Sequence, residues 1–312
     1  MFSLNATLPV FLVIVLGWFL MQKKMFNENF VDIINKFVFK VSLPVLLFKD
    51  IATTPIREAF DPKFVIFCMI GTTIMFMGIW ALTSIFMKDK SMVGAFTQAS
   101  ARGSAAVLGI AFVQNIYGNS GMTPLMIVSA VPLYNIYSVI ILTFCANNQD
   151  HSDKAATIKR AFKNILTNPI ILGIAAGVPF SLLNIELPPL VLKTVTNVAQ
   201  TATPMALLAV GAGFEGRKAI KKLKPTMIAT FIKLVALPAI YFPFAITMGF
   251  RESALVAILI MVGSPTTVTC YIMAKNMGND GVLSSSIIVM ATLLSSVTLT
   301  FWIFLLKSMG LI

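Results

Sequence analysis

Charge is what this chain has least of. Only 12% of its 312 residues are Asp, Glu, Lys or Arg, about half the usual content of a soluble domain, so a soluble fold is not expected. A single histidine, His151, the lack of an HExxH motif and the lack of paired acids inside any apolar stretch argue against an intramembrane enzyme. The three cysteines, Cys68, Cys145 and Cys270, stand apart inside apolar runs. Without a CxxC pair they support neither a disulfide framework nor a zinc site, and they read as packing residues. No metal or cofactor is expected. The Lys and Arg residues give a net charge of +12, but they fall in short loops without interleaved aromatics, so no nucleic-acid partner is expected.

Apolar sequence fills the chain instead. Hydrophobic residues make up 57% of it, and the mean hydropathy is +0.88. A run of about 20 residues crosses a hydrocarbon layer of roughly 30 Å. Apolar runs between breakers predict ten spans, near 6–21, 33–52, 63–87, 91–117, 122–146, 166–183, 188–214, 225–248, 253–277 and 281–306. The first is read as a retained helix rather than a cleaved signal, because Lys23 and Lys24 follow it and no basic residue precedes it. With the N-terminus outside, fourteen Lys and Arg residues fall on the cytoplasmic side. Five fall on the outer side, namely Lys49, Arg57, Lys63, Arg251 and Lys307. That bias predicts both termini outside.

Sliding the sequence by 160 residues against itself places Pro9 on Pro169, Gly17 on Gly177, Pro44 on Pro204 and Gly103-Ser104 on Gly263-Ser264. The expected fold is therefore an all-α membrane protein, with ten transmembrane helices in two inverted five-helix repeats. Residues 1–150 form the first repeat and 166–312 the second. Between them, 151–165 is a basic cytoplasmic linker with Lys154, Lys159, Arg160 and Lys163, beside Asp150 and His151. It reads as an interfacial helix on anionic lipid or as a solvated loop, and we expect the loop there and at Arg217–Lys224.

The candidate site lies where the fourth and ninth spans are interrupted. Ser264-Pro265-Thr266-Thr267 reads as a helix start in mid-membrane, with Ser264 as N-cap and Pro265 at the first helical position. Gly103-Ser104 stands at the matching place in the first repeat, where Ala105 replaces the proline. Non-helical backbone at that depth needs cover from protein or a water-filled cavity. Two such breaks predict crossed broken helices, whose half-helix N-termini suit an anion. A packing kink is the other reading.

Arg102 lies near the middle of the fourth span, where an unpaired cation costs about 2.5–3.5 kcal/mol on insertion scales. No acid lies clearly deep in the membrane, Asp32 and Asp50 falling near the ends of the second span. The partner of Arg102 is then a substrate carboxylate or the carbonyls of the break. Alternatively, Arg102 only pins the backbone or snorkels. Gln98, Ser104, Thr266, Thr267 and Thr269 could complete a polar cage. Lys40 shares a helical face with Lys36 and Pro44 and could add positive potential, with Gln200 at its repeat-equivalent position. Lys193 and Lys233 read as interfacial. With no deep carboxylate to carry a proton or sodium, uniport or electrical driving is expected, and proton symport stays open through a protonated substrate.

The tract Ser264-Pro265-Thr266-Thr267-Val268-Thr269-Cys270-Tyr271-Ile272-Met273-Ala274, followed by Gly278-Asn279-Asp280 and Ala291-Thr292-Leu293-Leu294-Ser295, resembles the C-terminal signature of the auxin efflux carrier family. That family includes plant auxin carriers and bacterial malate and malonate permeases. Leu43-Pro44 with Leu46-Leu47-Phe48, and Thr203-Pro204 through Gly211-Ala212, resemble its second and seventh helices. The resemblance implies a scaffold of helices 1, 2, 6 and 7 and an elevator-like transport unit of helices 3–5 and 8–10. It also implies carboxylate substrates beside the crossing, which Arg102, Gly103, Ser104, Gln98, Ser264, Pro265, Thr266 and Thr267 would hold, with Lys40 and Gln200 nearby. Where members carry Asn after the Arg and Pro after Gly-Ile, this chain has Ser104 and Ala111. A bacterial-type permease of the inner membrane is implied, for mono- or dicarboxylates or auxin-like acids, with membrane lipids around it and a homodimer allowed. The alternative is a non-transporting receptor or sensor for a small organic acid.

Overall fold

The computed structural model of the chain describes residues 2–53, 61–146, 154–183 and 185–312. Arg57, Asp150 and His151 lie outside the described residues. Among the described residues the architecture is all-helical, with one isolated antiparallel bridge and no named strand. In chain order the helices are α1 (Phe2–Gln22), α2 (Glu28–Phe37), α3 (Leu43–Ala52), α4 (Pro62–Phe86), α5 (Val93–Ala101), α6 (Ala105–Tyr117), α7 (Thr123–Phe144), α8 (Lys154–Leu166), α9 (Pro169–Leu182), α10 (Pro189–Gln200), α11 (Ala202–Ala212), α12 (Gly216–Lys221), α13 (Leu223–Phe231), α14 (Leu237–Thr247), α15 (Glu252–Gly263), α16 (Thr269–Asn276) and α17 (Gly281–Ser308).

Local chemistry sets the helix starts. Asp61, Asn27, Asn168 and Asp280 each accept backbone N–H groups of the turn they precede, and Pro62 and Pro169 follow two of these caps at the first helical position. Two short π-helical turns, Val38–Ser42 and Ile232–Ala236, join α2 to α3 and α13 to α14 without ending the helix. Pro44 and Pro238 follow these turns, where the missing proline N–H is accommodated by the widened turn.

Among the described residues four helices are long and apolar enough to cross a membrane, namely Pro62–Phe86, Thr123–Phe144, the joined Leu223–Thr247 and Gly281–Ser308. Their flanks carry large exposed apolar side chains, such as Phe86, Ile85 and Phe304, as a lipid-facing surface requires. α5, α6, α15 and α16 are individually too short to cross; at about 1.5 Å per residue, the 13 residues of α6 reach only about 20 Å.

Backbones approach closely at glycines in two helix pairs. α1 runs along α11 and α9 runs along α3. A Cβ on Gly177 would lie 2.9 Å from the Phe48 carbonyl oxygen, and one on Gly17 would overlap the Leu208 backbone. Small residues allow this spacing between apolar helices. Elsewhere α4 packs on α7, α13 on α17 and α15 on α6 and α14. A core of Phe64, Phe76, Met126, Tyr134, Leu255 and Ile258 is buried among these helices.

Two expectations are corrected here. Residues 154–166 form the helix α8 rather than a loop, with Ala161 buried and Phe162, Lys159 and Leu166 exposed. Buried Ala161 and partly buried Ile165 are on its docked side, which net polarity does not reveal. Arg217 to Lys221 likewise lie in α12.

Candidate functional site

The fourth and ninth runs are both interrupted, and the interruptions meet. α5 ends at Ala101 and α6 begins at Ala105; α15 ends at Gly263 and α16 begins at Thr269. Gly103 and Thr266 form the antiparallel bridge, and the Ser104 N–H donates to the Pro265 carbonyl at 2.9 Å. Ser264 is extended (φ −69, ψ 154), as a residue before proline tends to be. Its hydroxyl is buried without a hydrogen-bond partner. The expectation that Ser264 caps a helix beginning at Pro265 is thereby corrected. Pro265 to Val268 stay out of the helix to pair with the other break, and α16 starts four residues later.

A helix end leaves its last four carbonyls without intrahelical donors, and the crossing supplies donors to them. In α5, the Gln98 carbonyl keeps the helix's own bond from the Arg102 N–H at 2.9 Å, and the Thr266 hydroxyl donates to the Ala99 carbonyl from across the crossing at 2.7 Å. Lys233 Nζ donates to the Ala101 carbonyl at 3.0 Å. In α15, the Met261 carbonyl accepts from Tyr134 Oη at 2.8 Å and from Lys233 Nζ at 3.3 Å.

On one side of the crossing lies a cavity of about 90 Å³, several times the roughly 10–15 Å³ that one water needs. Arg102, Gly103, Ser104 and Ala105 line it from one break, and Pro265 to Thr269 from the other. The facing wall includes Thr7, Leu43, Leu47, Asp50 and Thr203. The N-terminal ends of α6 and α16 therefore both border the cavity, and each carries about half a positive charge. Arg102 is 5% exposed. Its guanidinium donates to Asn135 Oδ1 at 2.8 Å and to Met273 Sδ at 2.9 Å, and none of the ion pairs among the described residues includes it. Asn135 is oriented for this by donating its own amide to the Val131 carbonyl at 2.9 Å.

A family model described as "Membrane transport protein" matches residues 2–303. The chain belongs to that family. Among its relatives, the "Putative malonate transporter" of Rhizobium meliloti (strain 1021) is 25% identical over 309 residues, covering 96% of this chain and 95% of the relative. An uncharacterized transporter, YfdV of Escherichia coli (strain K12), is 23% identical over 246 residues, 76% of each chain. An uncharacterized transporter of Methanothermobacter thermautotrophicus is 22% identical over 304 residues, 96% of this chain and 97% of the relative. The chain is thus a membrane transport protein of the auxin efflux carrier type, not an enzyme.

In this membrane transport protein, six of the ten residues read as site candidates border the cavity: Arg102, Gly103, Ser104, Pro265, Thr266 and Thr267. The other four do not. Gln98 is fully buried behind the break, donating to Met273 Sδ at 3.3 Å, and Ser264 is sealed inside the crossing. Lys40 is exposed, because the π turn Val38–Ser42 breaks the i, i+4 register that was to align it with Pro44. Gln200 is exposed at the end of α10, and it is its neighbour Thr201 that reaches across, its hydroxyl 2.8 Å from Ser42 Oγ.

Three residues were missed or misplaced. Asp50 lies in the last turn of α3, as read, but it also borders the cavity, which was not foreseen, and pairs with Lys49 at 3.2 Å. Asn135, the partner of Arg102, is a polar residue in the apolar run Thr123–Phe144, and that contrast is the signal that could have found it. Lys233, read as interfacial, is fully buried; its position near the middle of Leu223–Thr247 was the available signal.

Proposed function

We propose that this protein is a secondary transporter of small organic anions, mono- or dicarboxylates, working by alternating access around the crossing of the fourth and ninth spans. The observation that carries the reading is the bridged pair of breaks beside a cavity, where two half-helix N-termini and an arginine that pairs with no acid among the described residues supply positive potential. Arg102 and those N-termini would attract the carboxylate, Ser104 and Thr267 would orient it, and Gly103 and Pro265 would hold the breaks. A guanidinium has five N–H donors in a fixed fork, so Arg102 can engage a carboxylate while keeping Asn135. The relative named as a malonate transporter favours a dicarboxylate of that size.

In this reading the chain has ten spans in two inverted repeats, with both termini outside a bacterial inner membrane. Supporting it, the contact of Gly17 with Leu208 and that of Gly177 with Phe48 are related by the same 160-residue shift that aligns the breaks. α1, α2 with α3, α9, and α10 with α11 would form the scaffold, and α4 to α7 and α13 to α17 the unit that moves against it as an elevator. A charged cavity of about 610 Å³, lined by Glu28, Asp32, Lys222, Lys275 and Asp280, lies between elements of the two groups and would be part of the route.

The test is uptake of malonate and related acids into proteoliposomes. Arg102→Ala should lower uptake at least tenfold; unchanged uptake of every carboxylate tested would remove Arg102 from the site. Counterflow of labelled acid distinguishes transport from mere binding by a receptor.

A further inference from the structure

Lys233 is the group whose surroundings the function so far leaves unexplained. It sits in the π turn Ile232–Ala236, is 0% exposed, and does not border the 90 Å³ cavity. No ion pair among the described residues includes it. A buried cation with no opposite charge beside it is strongly disfavoured, so something must offset it. Its acceptors are the Ala101 and Met261 carbonyls, at 3.0 and 3.3 Å. These belong to the C-terminal turns of α5 and α15. Each helix C-terminus carries about half a negative charge, so two converging ends neutralise about one ammonium.

The same gap holds further oxygen. Ser264 Oγ is buried and without a partner, and a Cβ on Gly103 would overlap it while meeting Lys233 Nζ at 3.0 Å. Tyr134 Oη, which donates to the same Met261 carbonyl, is adjacent. Hard monovalent cations are held by such carbonyls and hydroxyls, and half-helix C-termini in transporters with broken helices coordinate the coupling ion.

We propose that Lys233 is a tethered counter-cation: its ammonium occupies the cation site made by the two half-helix C-termini, so the crossing needs no exchangeable alkali ion, and removing the side chain opens that site to one. Lys233 is a positioning residue, acting on the anion only by holding the two breaks together. The inference rests on the crossing being the transport centre, yet its main readout uses no carboxylate.

The experiment is thermal melting of purified wild type, Lys233→Ala and Lys233→Arg in choline, sodium, lithium, potassium or methylammonium chloride at one ionic strength. The expected result is a wild type and a Lys233→Arg whose melting is the same in all five salts. Lys233→Ala should melt lower in choline and recover by about 4 °C or more in methylammonium or at least one alkali salt. Loss of packing alone would give equal destabilisation in every salt, and that result overturns the proposal. If Lys233→Ala does not fold, transport decides: wild-type and Lys233→Arg uptake undiminished when choline replaces sodium and potassium upholds it, and a sodium requirement in either overturns it. Salt-specific recovery in a protein that moves no carboxylate would keep the cation site and reject the cargo.

Discussion

The Thr266 hydroxyl offers a clean test of how the crossing is held. It is buried and donates to the Ala99 carbonyl across the two breaks at 2.7 Å. Thr266→Val keeps the shape and removes the donor. The Ala99 carbonyl, in the last turn of α5 where no helical N–H can reach it, is then left unsatisfied, at a cost of about 1–3 kcal/mol. At roughly 2 °C per kcal/mol for a chain of this size, melting in detergent should fall by about 2–6 °C. Thr267→Val is the control. Thr267 is half-buried, and its hydroxyl only accepts a 3.3 Å bond from Thr269, so the loss should stay below about 1 kcal/mol. Thr266→Ser should retain most of the wild-type stability. If Thr266→Val melts with the wild type while Thr267→Val falls, the hydrogen-bonding scheme of the crossing is wrong.

Other outcomes follow from the same contacts. Arg102→Lys keeps the charge but loses the fork that reaches both Asn135 and Met273; its uptake should fall at least about tenfold, and wild-type kinetics would show that charge alone suffices. Gly177→Leu would drive a side chain into the Phe48 carbonyl and Ile51, costing more than about 3 kcal/mol, which loss of the monodisperse peak in size-exclusion chromatography would register. The Asp32 and Lys275 pair is 3.7 Å apart and about half exposed on each side, so Asp32→Asn should leave melting unchanged within about 1 kcal/mol; a shift of several degrees would make it a structural latch. If transport is uniport, a pH jump at zero membrane potential gives no sustained uphill accumulation of the anion, and accumulation would show proton coupling.

Much of the helical framework can be read from residue order, because apolar runs and Gly or Pro breakers are local signals. Gly263-Ser264-Pro265 and Gly103-Ser104 locate the interruptions for that reason. What a local pattern lacks is the partner. Lys233 reads as interfacial because a lysine in an apolar run ordinarily snorkels; only the convergence of Ala101 and Met261, 132 and 28 residues away in sequence, gives it acceptors in the interior. Ser264 reads as a cap because serine before proline does so in ordinary helices. Pairing between Pro265 and Ser104 overrides that preference. A 3.6-residue period puts Lys40 on the face of Pro44, and the π turn Val38–Ser42 rotates it away.

The most direct measurement is an experimental structure of the protein with malonate bound. The expected result is interrupted helices at Arg102–Ser104 and Ser264–Val268, bridged to one another, with the acid seated between Ser104–Ala105 and Thr267–Thr269 and within reach of Arg102. Unbroken helices through either segment, or the acid bound away from both, would contradict it.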